Sequence, residues 1–274
     1  MTKNHTVWPV IFVLALFSAP LAIMYLFLVV DTFSNSAPGS FLPYEFTLQH
    51  WRFLWNPNVT GDVWKPTLNT FLFTVSMVTI VLGVSTTAGY AISRLNLPFR
   101  RFFLSSLMVM HAFPTVTLLI GVFLVLQYAG LYNTLIGVIL VKASLMLPLG
   151  IWIMKGFYDS VPWEIEMAGV QDGASRFTVW WRLILPQVKP GLMALSIFVF
   201  IDGWSEYLLP RILAPAAQIE VLSVYLEAVS DPDSVTYNFN LFKSVGLFYT
   251  LPVIVLFVLF QKPLMNIFSG GTKG

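Results

Sequence analysis

The sequence predicts an all-α membrane protein with six transmembrane helices, and three observations carry that prediction. Only 10% of the 274 residues are charged, while 57% are hydrophobic and the mean hydropathy is +0.78; soluble domains carry about 25% charged residues. Six stretches are long and apolar enough to cross a bilayer, for which roughly 20 residues are needed. Lys and Arg are also distributed unevenly between the segments joining them. So apolar a chain cannot cover a water-soluble globule, which excludes a soluble enzyme, a nucleic-acid-binding protein and a disordered chain. Net charge is +2, with no basic run to hold a polyanion, and the absence of cysteine excludes disulfides and thiolate chemistry.

The first span, about Trp8–Val30, exceeds the 7–15 residues of a signal-peptide core, and Asp31–Ser40 lacks a small-residue cleavage pattern. It is expected to remain as a membrane anchor. The others run over about Asn69–Ile92, Phe103–Leu126, Leu135–Met154, Leu192–Leu209 and Val245–Phe260, within one domain covering residues 1–274. Pro20, Pro114, Pro148 and Pro252 fall inside spans, and the small residues of Gly83-Val-Ser-Thr-Thr-Ala-Gly89 suit close helix packing in lipid. With the N-terminus cytoplasmic, ten basic residues lie inside: Lys3, Arg94, Arg100, Arg101, Lys155, Arg176, Arg182, Lys189, Lys262 and Lys273. Four lie outside (Arg52, Lys65, Arg211 and Lys243), and Lys142 falls within a span. That asymmetry places both termini in the cytoplasm.

The cytoplasmic loop Lys155–Pro190 is too polar for the membrane and too patterned for a linker. Ser160 is a candidate cap, Pro162 suits a first turn, and Glu164 and Glu166 stand where the helix dipole favours acids. Asp172-Gly173-Ala174-Ser175 reads as a turn, with Gly173 ending one helix and Ser175 capping the next. Phe177, Trp180, Trp181 and Ile184 then share one face of a short amphipathic helix stopped at Leu185-Pro186. The bland alternative is two surface helices that merely connect spans, but a connection this long and ordered is usually functional.

The stretch Glu164-Ile-Glu-Met-Ala-Gly-Val-Gln-Asp-Gly-Ala-Ser-Arg-Phe-Thr-Val-Trp-Trp-Arg-Leu-Ile-Leu-Pro186 resembles the "EAA" loop of binding-protein-dependent ABC importer permeases. Gly173 and Leu185-Pro186 match that pattern. Met167 stands where the family has Glu, and Gly169 where it has its second Ala. Asn69-Thr70, Ala88-Gly-Tyr-Ala-Ile-Ser-Arg94, Gly130-Leu-Tyr-Asn-Thr134, Trp204-Ser-Glu-Tyr-Leu208 and Gly271-Thr-Lys-Gly274 are similar to the maltose-type carbohydrate branch. The resemblance implies that Glu164, Ile165, Glu166, Met167, Ala168, Gly169, Asp172 and Gly173 couple the chain to a separate ATPase. It further implies a second homologous permease chain, two ATP-binding subunits and an extracytoplasmic solute-binding protein, in a bacterial or archaeal cytoplasmic membrane. The chain has no G-x-x-x-x-G-K-[ST] phosphate loop, so ATP and magnesium belong to those partners, and no cofactor is expected here.

Ionisable residues inside spans mark function by default. Those within the spans are His111, Lys142, Asp202 and Glu206. Asp202 and Glu206 are four apart and share a helical face, flanked by Trp204 and Tyr207. A sugar pathway needs hydroxyl acceptors and aromatic faces, so Asp202, Trp204, Glu206 and Tyr207 are candidate pathway residues, with His111 and Asn69. Pairing of Glu206 with Lys142 or with a neighbouring chain as a structural contact is the competing reading. An ion-coupled secondary transporter using Asp202 and Glu206 is the alternative function. A membrane-embedded enzyme has no support, since neither H-E-x-x-H nor G-x-S-x-G occurs and His5, His50 and His111 are scattered.

Overall fold

The computed structural model describes residues 7–35, 45–216, 219–233 and 238–269. The Gly271–Gly274 motif, Lys3 and Lys273 lie outside the described residues. The chain divides into two units, Met1–Trp64 with Tyr225–Leu251, and Lys65–Val224 with Pro252–Gly274.

In the first unit, α1 (Val7–Thr32) is a 26-residue helix apolar on all sides, and only Asp31 and Thr32 at its end are buried. The chain then forms a two-residue antiparallel ladder, β1 (Ser34–Asn35) with β2 (Glu45–Phe46), and a 3-10 turn over Gln49–Leu54. Trp51 anchors this cap. Its indole donates to the Thr32 carbonyl at 3.1 Å, and its ring stacks between Phe33 and Phe53 at 5.1 and 6.0 Å. Phe53 and Trp64 both meet Phe248 edge-on, and Asp31 is ion-paired with Lys243.

The second unit is built on α2 (Trp64–Arg94), 31 residues without a break, whose Phe73, Met77 and Val81 are fully buried. Two glycines set how closely it is approached. A Cβ on Gly89 would lie 2.9 Å from Met154 Cβ, and one on Gly150 would lie 2.4 Å from Ser85 Oγ. Both belong to the seam between α2 and α5 (Leu135–Asp159), where small residues let backbones come together.

The third expected span is not one straight helix. α3 (Arg100–His111) and α4 (Thr115–Tyr128) meet at 98°. The cause is local: Pro114 is extended (φ −61°, ψ 129°) and has no N–H to continue the ladder. Hydropathy sees the apolar run and not its direction. After α5 come α6 (Trp163–Gln171), α7 (Arg176–Val179), a π-helical turn at Trp180–Ile184 and α8 (Leu185–Gln187), then a 72° bend into α9 (Lys189–Trp204). The fifth expected span also ends early, at Trp204, and resumes as α10 (Leu208–Leu213). α11 (Leu222–Ser230) and α12 (Phe239–Ser269) complete the chain. Among the described residues, four helices are long and apolar enough to cross a membrane, and up to six spans result if each bent pair counts as one.

Candidate functional site

The loop between α5 and α9 folds into a run of short helices. Ser160 does not cap α6; it closes α5, its hydroxyl donating to the Phe157 carbonyl at 2.7 Å. Pro162, extended at φ −56° and ψ 135°, delivers the chain into α6 instead. The far end follows the turn chemistry. Gly173 is left-handed at φ +84°, and the N–H groups of Gly173 and Ala174 donate to the carbonyls of Val170 and Gly169, closing the helix. Ser175 then caps α7, its hydroxyl accepting from the Thr178 N–H at 3.2 Å.

The candidate coupling residues divide between two faces of α6. Glu164, Met167 and Ala168 are exposed with Asp172 and Gly173, and Ile165 is half-buried. Gly169 is buried, and a Cβ there would stand 2.7 Å from Leu183 and 3.0 Å from Val179, so glycine lets α6 lie close on α7 and the π turn. Glu166 also points inward and is only 4% exposed. It accepts from the Tyr90 hydroxyl at 2.7 Å and pairs with Arg94 Nε at 3.3 Å. Arg94 Nη2 donates to the carbonyls of Tyr158 and Val161 at 3.0 and 2.6 Å, and its guanidinium lies over the Trp163 ring. Tyr158 packs edge-on to Tyr90 and accepts from the Trp180 indole. One buried ion pair thus fastens α6 to the end of α2. In the sequence Arg94 stands as an orientation signal and as the end of the Ala88–Arg94 motif, and the clue to its contact is that Tyr90 and Arg94 are four apart on one helical face.

The second constellation joins α5 to α9 and to the turn that follows it. Lys142 of α5 reaches Asp202 Oδ2 of α9 at 2.8 Å and Glu206 just beyond it. Lys142 and Glu206 side chains are 14% and 11% exposed, whereas Asp202 is 37% exposed. Glu206 also accepts from the Leu209 N–H at 3.1 Å, capping α10. The structure therefore brings Asp202 and Glu206 together, and it joins them through Lys142. The remaining candidates stand elsewhere. Trp204 is 2% exposed and stacked on Phe200, Tyr207 is half-buried, His111 ends α3 at an exposed position, and Asn69 donates to the Glu220 carbonyl at 2.8 Å. Chemically, one ammonium between two carboxylates leaves an excess negative charge, and the more open Asp202 is the group able to meet a hydroxyl donor.

Residues 79–262 match the family described as binding-protein-dependent transport system inner membrane component. A trehalose transport system permease protein of Mycobacterium tuberculosis is 26% identical over 99% of both chains. A diacetylchitobiose uptake system permease protein of Streptomyces coelicolor is 27% identical over 94% of this chain and 86% of its own. A maltodextrin transport system permease protein of Bacillus subtilis is 27% identical over 84% and 82%. Among solved structures, a bacterial ABC transporter involved in the import of the acidic polysaccharide alginate superposes with a TM-score of 0.79. It is 21% identical and covers 96% of this chain and 98% of that one.

Proposed function

This chain belongs to the binding-protein-dependent transport system inner membrane components, and from that premise we propose that it is the permease subunit of an ATP-driven carbohydrate importer. It is a multi-pass membrane transport component and not an enzyme. The sugar relatives support carbohydrate as cargo. In this reading the chain forms half of a translocation pathway, with a second permease chain, two ATP-binding subunits and an extracytoplasmic solute-binding protein. It lies in a cytoplasmic membrane with both termini inside. Single cysteines at Asn133 and Asp233 should then label from outside with an impermeant reagent, and ones at Ser160 and Ser269 should not.

The observation that carries the proposal is the geometry of α6. It is a short helix, sharply closed at Gly173, with Glu164, Met167 and Ala168 exposed and Glu166 bonded behind it to α2. A helix fixed to the spans on one side and open on the other suits a lever docked in a groove of an ATPase. Because Met167 replaces the family's acid, docking rests on apolar contact from Ile165, Met167 and Ala168. Asp202 is the proposed sugar contact, with Glu206 beside it, and Tyr207, Trp204, His111 and Asn69 are the further pathway candidates. Secondary transport through Asp202 and Glu206 is set aside by family membership, and both carboxylates are already engaged by Lys142.

The test is isolation of the complex from membranes, identification of every chain in it, and ATPase recovery with Met167→Lys at low and high salt. Met167→Lys should reduce recovery, and the wild-type contact should be little affected by salt. Full recovery with Met167→Lys would remove α6 as the docking element.

A further inference from the structure

α2 is bonded at both ends to other segments of the chain, and with both termini cytoplasmic, as proposed above, those segments face opposite sides of the membrane. At its inner end, Tyr90 and Arg94 hold Glu166 of α6. At its outer end, Thr70 and Asn69 hold the segment leading into α11. The Leu222 N–H donates to Thr70 Oγ1 at 2.7 Å, and Asn69 Nδ2 donates to the Glu220 carbonyl at 2.8 Å. Thr70 and Leu222 are both buried, so the outer bond is shielded from competing water. Twenty-four residues separate Thr70 from Arg94, about 36 Å along a helix. Between them α2 is unbroken and packed through Phe73, Met77 and Val81, whose side chains are fully buried.

We infer that α2 is a fixed link which makes displacement of α6 and displacement of the outer segment Ile219–Leu222 one movement, with Arg94 and Thr70 as its positioning residues. This rests on the reading of the chain as an importer permease. Packed helices shift between discrete arrangements instead of deforming continuously, so a bond at each end transmits the shift with little loss. Among threonines of the same helix, Thr79 is the useful contrast. Its hydroxyl is exposed and donates to Val75 of its own helix, and so joins α2 to no other segment in that bond.

The test uses the complete complex in membranes, carrying a reporter cysteine in place of Glu220, with ATP plus vanadate as the probe. Trapping should change the maleimide labelling rate at the reporter about tenfold, within the usual range of coupling between sites. Arg94→Gln, about 36 Å away, should bring that change below about twofold while the ATPase still co-purifies. Tyr90→Phe serves in its place if Arg94→Gln does not assemble. Thr70→Val should do the same with basal ATP hydrolysis unchanged, and Thr79→Val should leave the response at full size. A full response in Thr70→Val, and in whichever inner-end variant assembles, overturns the inference, as does a wild-type reporter indifferent to ATP in a complex that contains the ATPase. Absence of any ATPase from the complex would instead overturn the functional reading on which the inference rests.

Discussion

Two of the ionic clusters in the second unit each set one basic side chain against carboxylates, and they differ in balance. Arg94–Glu166 is one charge against one, both almost fully buried, with Arg94 also bound to two backbone carbonyls. Lys142–Asp202–Glu206 is one charge against two, and Asp202 keeps 37% of its side chain open. A balanced pair this deeply buried is closed to a ligand and holds its elements in register. An unbalanced, half-open cluster retains a carboxylate with spare acceptor capacity. The contrast teaches that buried charge divides by stoichiometry and closure into a fastening and a contact.

Breaking the fastening should have the largest effect. Arg94→Met leaves Glu166 buried and unpaired, at a cost of about 3–5 kcal/mol. The purified complex should show a clearly lower unfolding temperature, and an unchanged one would place Glu166 in solvent. Next comes Glu206→Gln against Asp202→Asn. Glu206 is more deeply buried and caps α10, so its replacement should cost stability of roughly 1–3 kcal/mol. Asp202→Asn should lower sugar uptake while altering the unfolding temperature little. Equal behaviour of the two variants would erase the distinction drawn within the cluster. Gly173→Asp is smaller in stability, about 1 kcal/mol for a side chain at φ +84°, with open space around the position. Its larger consequence should be lost uptake and weakened ATPase recovery, measured by co-purification.

The smallest effect lies outside both clusters and acts as their control. Burial pushes the His50 imidazole below its usual value, only partly opposed by the Ser34 backbone and Asp31, with Lys243 adding to the depression. A depressed folded value means the unfolded chain binds the proton more readily. The contribution is therefore intact above about pH 6.5 and is lost as pH falls through the lower folded value. Mild acid should loosen the Trp51 cap, seen as a change in tryptophan fluorescence that His50→Gln removes.

What the sequence made legible was local. The turn at Gly173, the cap at Ser175 and the helix between Pro162 and the turn all follow from residues within a few positions of one another. The fastening was not legible, because Tyr90 and Arg94 lie more than seventy positions before Glu166, and only folding reveals that they meet. The competing reading pairs Glu206 with Lys142 or with a neighbouring chain, and the structure supplies the Lys142 pairing together with Asp202. The break at Pro114 was written in the sequence but hidden from hydropathy, which weighs apolarity and ignores direction. Ser160 misled for a related reason: a serine ahead of acids resembles a helix start, yet α5 runs on to claim it.

The interruption at Ser205–Tyr207 is more than a gap between α9 and α10. A helix that stops leaves carbonyls unpaired at its end, and the helix that starts after it leaves N–H groups unpaired at its beginning. The carbonyl end of α9 carries a partial negative charge, and the ammonium of Lys142 sits on the two carboxylates at that end. The N–H end of α10 carries a partial positive charge, and the Glu206 carboxylate accepts from its Leu209 N–H. The cluster therefore sets a cation near the carbonyl end of α9 and a carboxylate on the N–H end of α10, and removal of Lys142 would strip a cation from the end of α9 as well as from two acids.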